Sequence, residues 1–278
     1  MREERIDSHH HLWKYSGADY PWMLNGMEAI RRDFLVEDLR LAMQAGAIDG
    51  VVTVQARQSL AETEWLLDLA SGYPFMRGIV GWVPLTDPAL PSQLEKYAAN
   101  PKLKAVRHVL HDEPDDFYLL REDFNRGIAR LKDFGLRYDI LIFERHLPQT
   151  IEFVDRHPQQ LFIVDHVAKP KIRDHRMSPW RERMRDLARR ENVYCKLSGM
   201  VTEANWKSWT EADLRPFIDV VLGWFGPDRL MFGSDWPVAL VACTYRRWVE
   251  VVERATESLS ASERGRLFGG TAREVYGL

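Results

Sequence analysis

His9 and His11, near the start of the chain, have the residue type and the spacing that a metal-binding or substrate-binding site requires. They belong to the segment IDSHHHLW, residues 6–13, which reads as a short strand. Because side chains alternate between the two faces of a strand, we expect His9 and His11 to point to one side with Asp7, and His10 to point away. Two imidazoles on one face can bind a metal ion or a polar substrate. The alternative is a pair of hydrogen-bonded histidines at a strand end.

The elements that would position these histidines repeat along the whole chain. Short β-rich runs alternate with segments of helical periodicity, and no Ser- or Gly-rich linker divides them. The predicted strands are residues 5–11, 50–55, 78–85, 104–110, 136–143, 161–167, 193–198 and 229–234. This α/β pattern predicts a single (β/α)8 TIM barrel over residues 1–278, with a long aromatic-rich loop at about residues 12–35.

The predicted helices begin and end at residues that favour helix boundaries. Residues 37–45, 62–70 and 121–134 are followed closely by glycine, which is common just after a helix. Pro179 opens a predicted helix that runs to residue 190, and proline is favoured in a first helical turn. Thr210 and Asp213 are spaced as a capping box at the start of a helix that runs to residue 224.

In such a barrel the active site forms at the carboxyl ends of the strands. The ionisable residues predicted at that end are His9, His11, Arg107, His108, His166, Lys196 and Asp235. Arg107 and His108 are adjacent and therefore face opposite sides of a regular strand, so the sequence does not decide which of them lines the site. Lys196 has the same strand parity as Tyr194 and Ser198, so it is expected to point into the barrel mouth if they do. An inward lysine without a purpose would be costly to bury.

Composition and charge exclude several classes of protein. A net charge of −3 and a pI near 6.3 give no electrostatic footprint for nucleic acid or for an anionic membrane. No apolar run approaches the roughly 20 residues of a membrane span, and no secretory signal is evident. Cys195 and Cys243 have no CxxC spacing, so neither a disulfide framework nor a thiolate metal site is predicted. We therefore predict a cytoplasmic protein with a small-molecule partner, of undetermined oligomeric state.

Four motifs in this chain resemble the amidohydrolase superfamily. They are DSHHHLW (residues 7–13), DHVAKP (165–170), KLSG (196–199) and FGSDWP (232–237). In this order they are similar to its sugar-lactonase branch, of the L-fuconolactonase and L-rhamnonolactonase type, and the resemblance extends over nearly the whole chain. It implies a barrel that opens a sugar-acid lactone, such as L-fuconolactone, to the aldonic acid.

The resemblance also implies what the metal content should be. Arg107 and His108 stand on strand 4 where a two-metal centre would have a bridging lysine or carboxylate, and strand 5 ends without a histidine. A single Zn²⁺ on His9, His11 and Asp235 is compatible with the sequence. Members of the lactonase branch can act without metal, so no cofactor is expected to be required.

Lactone hydrolysis assigns a chemical role to each of these residues. Water must lose a proton as it attacks, and the oxyanion needs hydrogen-bond donors or positive charge. Asp235 is the predicted general base, with a helix N-cap as the alternative. His9, His11 and His166 would orient or polarise the carbonyl, although His166 alone could be a hydrogen-bonded core residue. Lys196 would stabilise the oxyanion, or pair with Asp235 and serve structure.

Aromatic residues cluster in the predicted loops at the active-site end. Flat aromatic faces suit the C–H surface of a sugar ring, and the alternative is a hydrophobic lid. The predicted substrate-binding residues are Arg107, His108, Trp22, Trp82 and Trp236. Residues 111–113 are expected to form a solvated turn.

Two other functions remain open at the level of the sequence. The same barrel could be a metal-dependent decarboxylase or amidohydrolase, which would need a tightly held divalent ion. It could also be a non-catalytic sugar-binding barrel, which would bind a sugar lactone without turnover.

Overall fold

The protein forms one sheet of eight parallel strands that pair in chain order. The computed structural model describes residues 3–278, so residues 1 and 2 of the predicted domain lie outside the described residues. The strands are β1 Ile6–His10, β2 Gly50–Val54, β3 Met76–Gly81, β4 Leu103–Val109, β5 Arg137–Leu141, β6 Phe162–Val164, β7 Val193–Leu197 and β8 Leu230–Phe232. The predicted (β/α)8 barrel is confirmed.

The chain just after β8 closes the barrel against β1. The backbone N–H of Asp235 donates to the His9 carbonyl at 2.8 Å, and the His11 N–H donates to the Trp236 carbonyl at 2.7 Å. His10 and Trp236 form an isolated parallel bridge. This closure brings Asp235 next to His9 and His11, from opposite ends of the sequence.

A helix follows each strand and covers the outside of the barrel. These helices are α1 Val36–Gly46, α2 Leu60–Gly72, α3 Leu90–Ala98, α4 Glu122–Leu131, α5 Leu147–Arg156, α6 Trp180–Leu187, α7 Glu211–Arg229 and α8 Tyr245–Ala255. The predicted capping box is present, since Asp213 accepts a hydrogen bond from the Thr210 N–H at 2.7 Å. Across residues 3–278, no helix has both the length and the apolar character needed to cross a bilayer.

The C-terminal segment plugs one end of the barrel. After α8 the chain forms α9 Ala261–Gly265, a π-helical turn at Arg266–Gly270 and α10 Thr271–Tyr276. Ala272, Val275 and Tyr276 of α10 pack with the inward side chains of the strands, among them Val52 and Val80. Strands buried on both faces account for the continuous apolar runs in the sequence.

Several strands end earlier than predicted, and for β6 the backbone gives the reason. Strand 6 was predicted to reach residue 167, but β6 ends at Val164. His166, Val167, Ala168 and Lys169 all have positive φ, between 47° and 59°, which no β-strand can contain. His166 and Lys169 of the DHVAKP motif therefore lie on a left-handed turn rather than on a strand.

Candidate active site

A cavity of about 420 Å³ opens at the carboxyl ends of the strands. This volume lies within the range of small-molecule sites, and the position is the one at which barrel enzymes bind their substrates. Its lining includes five of the residues predicted to be catalytic or substrate-binding, namely His11, Arg107, His166, Asp235 and Trp22. Trp22 lines it from the loop between β1 and α1.

His9 and His11 face the interior of the barrel mouth, as expected, but Asp7 does not. The pairing of β1 with β2 shifts register between Asp7 and His10, and a bulge of this kind breaks the alternation of side chains. Asp7 instead accepts hydrogen bonds from Ser234 and from the Tyr245 hydroxyl of α8. The prediction that Asp7 shares a face with the two histidines is therefore wrong, whereas His10 does face away and contacts Thr53 at 2.8 Å.

Three donor atoms converge at the base of the cavity. His9 Nε2 lies 3.2 Å from His11 Nε2, and Asp235 Oδ1 lies 3.9 Å from the former and 3.5 Å from the latter. Tetrahedral zinc with bonds of about 2.0–2.1 Å would separate its ligand atoms by roughly 3.3 Å. The three residues also form one of the groups that could hold a metal ion. The spacing of this donor set fits a zinc ion.

The hydrogen bonds behind the two histidines also suit a metal site. His11 Nδ1 lies 2.9 Å from the Val54 carbonyl, which only accepts, so Nδ1 carries a proton and Nε2 is the nitrogen directed to the site. His9 Nδ1 lies 3.3 Å from Asp165 Oδ1. A carboxylate or carbonyl behind the imidazole is the usual support for a metal-binding histidine.

The Asp235 carboxylate contacts imidazoles rather than the backbone of a following helix. In addition to His9 and His11, His166 Nε2 lies 3.8 Å from Asp235 Oδ1. Burial alone would raise the pKa of Asp235, but the neighbouring His166 and His11 outweigh it and hold the pKa below its ordinary value. Asp235 is thus an ionised, buried carboxylate inside the cavity, as a general base must be.

His166 is held from behind by β7 and the residues after it. Its Nδ1 lies 2.9 Å from the Ser198 hydroxyl, and burial lowers its pKa well below the ordinary value. Gly199 packs directly against the ring: a Cβ atom at this position would lie 2.3 Å from His166 Nδ1. The KLSG motif therefore positions His166 as well as supplying Lys196.

Replacing Gly199 by alanine should damage both stability and the site. Gly199 has φ +61°, so alanine would cost about 1–2 kcal/mol in backbone strain and would also push His166 out of place. We expect a lower free energy of unfolding in urea and a lower kcat/KM. Gly223→Ala in α7 is the matched control, because a Cβ there meets nothing within 4 Å and should stabilise the helix by about 0.5–1 kcal/mol. Equal stability of the two variants would contradict this account.

Beneath the cavity lies a buried network of four charged residues. Lys196 Nζ contacts Asp139 Oδ2 at 2.5 Å and Asp165 Oδ1 at 3.1 Å, and Arg107 donates to Asp165 Oδ2 at 2.9 Å. The Tyr276 hydroxyl of α10 donates to Asp139 at 2.8 Å. Lys196 points inward as expected, but it pairs with these two aspartates and not with Asp235, so that suggested pairing is wrong.

Asp139, Asp165 and Tyr276 were not among the predicted site residues. An acidic residue inside the otherwise apolar run Tyr138–Leu141, and another directly before His166, were the available signals. Burial raises the pKa of Asp165, but Lys196 and His9 outweigh it and hold the pKa well below the ordinary value. Asp165 is therefore an ionised partner behind His9.

Arg107 and His108 lie on opposite faces of β4, as strand geometry requires. Arg107 lines the cavity, with its guanidinium also bonded to Gln55 at 3.1 Å. His108 points outward, where it contacts Glu113 at 2.6 Å and accepts a hydrogen bond from Trp82 at 3.4 Å. Neither His108 nor Trp82 lines the cavity.

The other residues near the site also divide into those that line the cavity and those that do not. Trp236 is buried against Phe34, with ring centroids 5.2 Å apart, and is not part of the cavity lining. His111 was expected in a solvated turn, but its ring packs on Phe143 and lines the cavity. Lys169, Glu203 and Trp206 also line the cavity.

The chain is similar to known proteins over almost its full length. The family model described as Amidohydrolase matches residues 6–278. An L-fucono-1,5-lactonase from Burkholderia multivorans is 43% identical, over 99% of this chain and 96% of that protein. An L-fucono-1,5-lactonase from Burkholderia ambifaria is 35% identical, over 98% of this chain and 95% of that protein.

A solved structure shows the same fold. The crystal structure of an amidohydrolase from Burkholderia multivorans with bound zinc has a TM-score of 0.95 and 43% sequence identity, and the match covers 99% of each chain. The resemblance that the four motifs indicated is confirmed. The chain belongs to the amidohydrolase family.

Proposed function

We propose that the protein is a lactonase that hydrolyses a sugar-acid lactone, with L-fucono-1,5-lactone as the first substrate to test. The observation that carries the proposal is the buried Asp235 carboxylate, which faces three imidazole nitrogens at 3.5–3.9 Å inside the barrel mouth. The sugar is suggested by two relatives named L-fucono-1,5-lactonase, at 43% and 35% identity over nearly the whole chain.

Asp235 acts as the general base in this proposal. It takes a proton from water as the water oxygen attacks the lactone carbonyl carbon, and the carbonyl oxygen becomes an oxyanion. The bond between the carbonyl carbon and the ring oxygen then breaks, and the ring oxygen takes the proton that Asp235 accepted, which forms the hydroxyl and regenerates the carboxylate. The products are an aldonate and the proton released when the carboxyl group ionises.

Fixed donors around the carbonyl stabilise the oxyanion. Arg107 lines the cavity and is held by Asp165 and Gln55, so its charge needs no reorganisation during the reaction. His11 and His166 line the same cavity and orient the carbonyl. Lys196, which is fully buried below them, acts as a positioning residue through His9 and Asp165.

A zinc ion fits the site of His9, His11 and Asp235. When bound, such an ion supplies Lewis-acid polarisation of the carbonyl and lowers the pKa of water. The expectation that no cofactor is required finds no support in the comparisons, since a similar structure contains zinc. Removal of metal therefore belongs in the first experiment.

The test is a panel of lactones assayed for acid release, with and without exhaustive chelation. We expect hydrolysis of L-fucono-1,5-lactone above the spontaneous rate, with smaller rates for L-galactono-, D-arabinono- and L-rhamnono-lactones. Loss of all activity on chelation and its return with Zn²⁺ would assign the ion an essential role. Inactivity on every lactone, with and without added Zn²⁺, would overturn the proposal and favour the decarboxylase or sugar-binding functions.

His9 and His166 should not titrate in the neutral range. Burial lowers the pKa of His9 and of His166 well below the ordinary value of about 6.5, so both rings stay neutral there. The pKa of Asp235 is also lowered, so the base stays ionised over the same range. NMR titration of the imidazole signals should therefore show no protonation of His9 or His166 between about pH 5.5 and pH 7.5. Protonation of either ring between pH 6 and 7 would contradict these protonation states.

The proposal also names a partner, whereas the location has a different basis. A sugar lactone is the proposed small-molecule partner, and a cytoplasmic location stays a prediction from the sequence. The Trp22 ring lines the cavity, where its flat face can cover the C–H surface of the sugar.

A further inference from the structure

One wall of the cavity is polar and is not used by the hydrolytic step. It consists of Lys169, which follows β6, Glu203, which follows β7, and His111, which follows β4; we call these three residues the polar wall. Lys169 Nζ contacts Glu203 Oε1 at 2.9 Å. All three side chains line the same cavity as Asp235.

The backbone of Lys169 is built to place its side chain here. It is the last of four consecutive non-glycine residues with positive φ, and its own φ is +47°. Such conformations cost free energy and persist where the surrounding structure determines them, often at ligand-binding sites. The turn directs Lys169 towards Glu203, so the pair is held before any substrate arrives.

The polar wall keeps hydrogen-bonding capacity that the protein does not use. An ammonium group has three donors, and one of those on Lys169 is directed to Glu203. The Phe143 ring lies 5.8 Å from its Nζ and accepts no conventional hydrogen bond. Glu203 Oε1 receives Lys169, which leaves its other oxygen to accept. His111 Nδ1 is buried and has no hydrogen-bond partner within residues 3–278.

The protonation states of these groups suit neutral polar ligands. Burial lowers the pKa of Lys169, but Glu203 and Asp235 outweigh it and keep the pKa above its ordinary value, so the ammonium is charged. Burial and the nearby cations Lys169 and Arg107 lower the pKa of His111 to about 2, so the imidazole is neutral. The polar wall therefore combines a fixed donor, a fixed acceptor and a neutral imidazole.

An aromatic ring lines the same cavity as the polar wall. Trp206 is part of the lining, and its Nε1–H donates to the Thr202 carbonyl at 2.8 Å, which restrains the ring. A flat aromatic face in one cavity with a donor and acceptor pair matches a sugar ring, which has C–H surfaces and hydroxyl edges.

We propose that the polar wall binds hydroxyl groups on neighbouring carbons of the lactone, with Lys169 donating to one and Glu203 accepting from the other, and so determines which sugar lactones are hydrolysed. The inference rests on the proposed lactonase function and deepens it. A site built to bond a hydroxyl strongly rejects the analogue that lacks it, because its buried polar groups are then left unpaired. The polar wall thus acts in substrate specificity, whereas Asp235 takes the proton from water.

The test is a cycle between enzyme variants and single-hydroxyl deletions of the substrate. Wild type and Lys169→Met are assayed on L-fucono-1,5-lactone, on its monodeoxy analogues and on unsubstituted δ-valerolactone. Loss of a charged hydrogen bond should lower kcat/KM of Lys169→Met on the full lactone by about 10- to 100-fold. On δ-valerolactone and on the analogue that lacks the bound hydroxyl, the loss should be less than about threefold. Glu203→Gln should show the same pattern with an adjacent hydroxyl.

Lys171→Met and Glu191→Gln are the matched controls, because both side chains are exposed and lie outside the cavity lining. Both should match wild type on every lactone. An equal loss for Lys169→Met on all lactones, δ-valerolactone included, would overturn the inference, since it would indicate a role at the carbonyl or in folding.

Assays of the wild-type protein alone provide a second test of the inference. If it hydrolyses every monodeoxy analogue as fast as the full lactone, the inference is overturned while the lactonase function stands. If it hydrolyses no lactone, the proposed function is overturned and the inference with it.

Discussion

Asp235→Asn is expected to lower kcat/KM on L-fucono-1,5-lactone by about 10²- to 10⁴-fold. Asparagine keeps the shape of the side chain but cannot take a proton from water. Asp235 is buried and lies close to the rings of His9, His11 and His166. No other carboxylate among the described residues that line the cavity contacts three imidazoles. Initial rates of acid release from purified variant and wild type measure the effect.

Folding and binding must be separated from turnover in this experiment. Asp68→Asn on α2 is the matched control, because Asp68 is exposed and should leave the rate unchanged. The thermal unfolding midpoint of Asp235→Asn should stay within a few degrees of wild type, because the buried carboxylate is replaced by a group of the same size. Undiminished hydrolysis by this variant would remove Asp235 from the role of general base.

Lys196→Met should give the largest loss of stability, by about 3–5 kcal/mol in the free energy of unfolding. Two cations, Lys196 and Arg107, balance the buried carboxylates of Asp139 and Asp165. Removing the lysine leaves one carboxylate without a counter-charge where water cannot reach it. Urea unfolding followed by circular dichroism measures the change.

Two further variants show whether charge imbalance is the cause. Lys207→Met, at an exposed position, should change the free energy of unfolding by less than about 0.5 kcal/mol. Adding Asp139→Asn to Lys196→Met should recover part of the loss, because it restores the balance of buried charge. A loss below about 1 kcal/mol for Lys196→Met would show that the buried charge network does not stabilise the fold.

Much of the architecture follows from local sequence patterns. Eight β-rich runs separated by helical segments predict the barrel. The Thr210–Asp213 pair caps α7 and Gly135 ends the α4 segment as predicted, whereas Gly46 and Gly72 lie within α1 and α2, and Pro179 precedes α6. The differences lie where the backbone departs from regular geometry. The bulge in β1 turns Asp7 away from His9, and the left-handed turn after Val164 ends β6 early. Periodicity describes a regular strand and carries no information about either feature.

Some residues of the candidate site could be predicted from the sequence, and others could not. Groups at strand ends, such as His9, His11 and Asp235, follow from the rule that barrel sites form at that end. Partners that meet only in three dimensions do not: Tyr276 reaches Asp139 because α10 plugs the barrel, and no local pattern links the two. Trp236 is an aromatic residue next to Asp235 in sequence, but it packs on Phe34 outside the cavity lining.

The most direct test of the central claim is the hydrolysis of L-fucono-1,5-lactone in ¹⁸O-labelled water, followed by NMR and mass spectrometry. The account predicts formation of L-fuconate by the wild-type protein well above the spontaneous rate, with one labelled oxygen in the carboxylate and none in the new hydroxyl. A rate equal to that without protein, with or without Zn²⁺, would contradict the lactonase function. Label in the hydroxyl would contradict attack of water at the carbonyl.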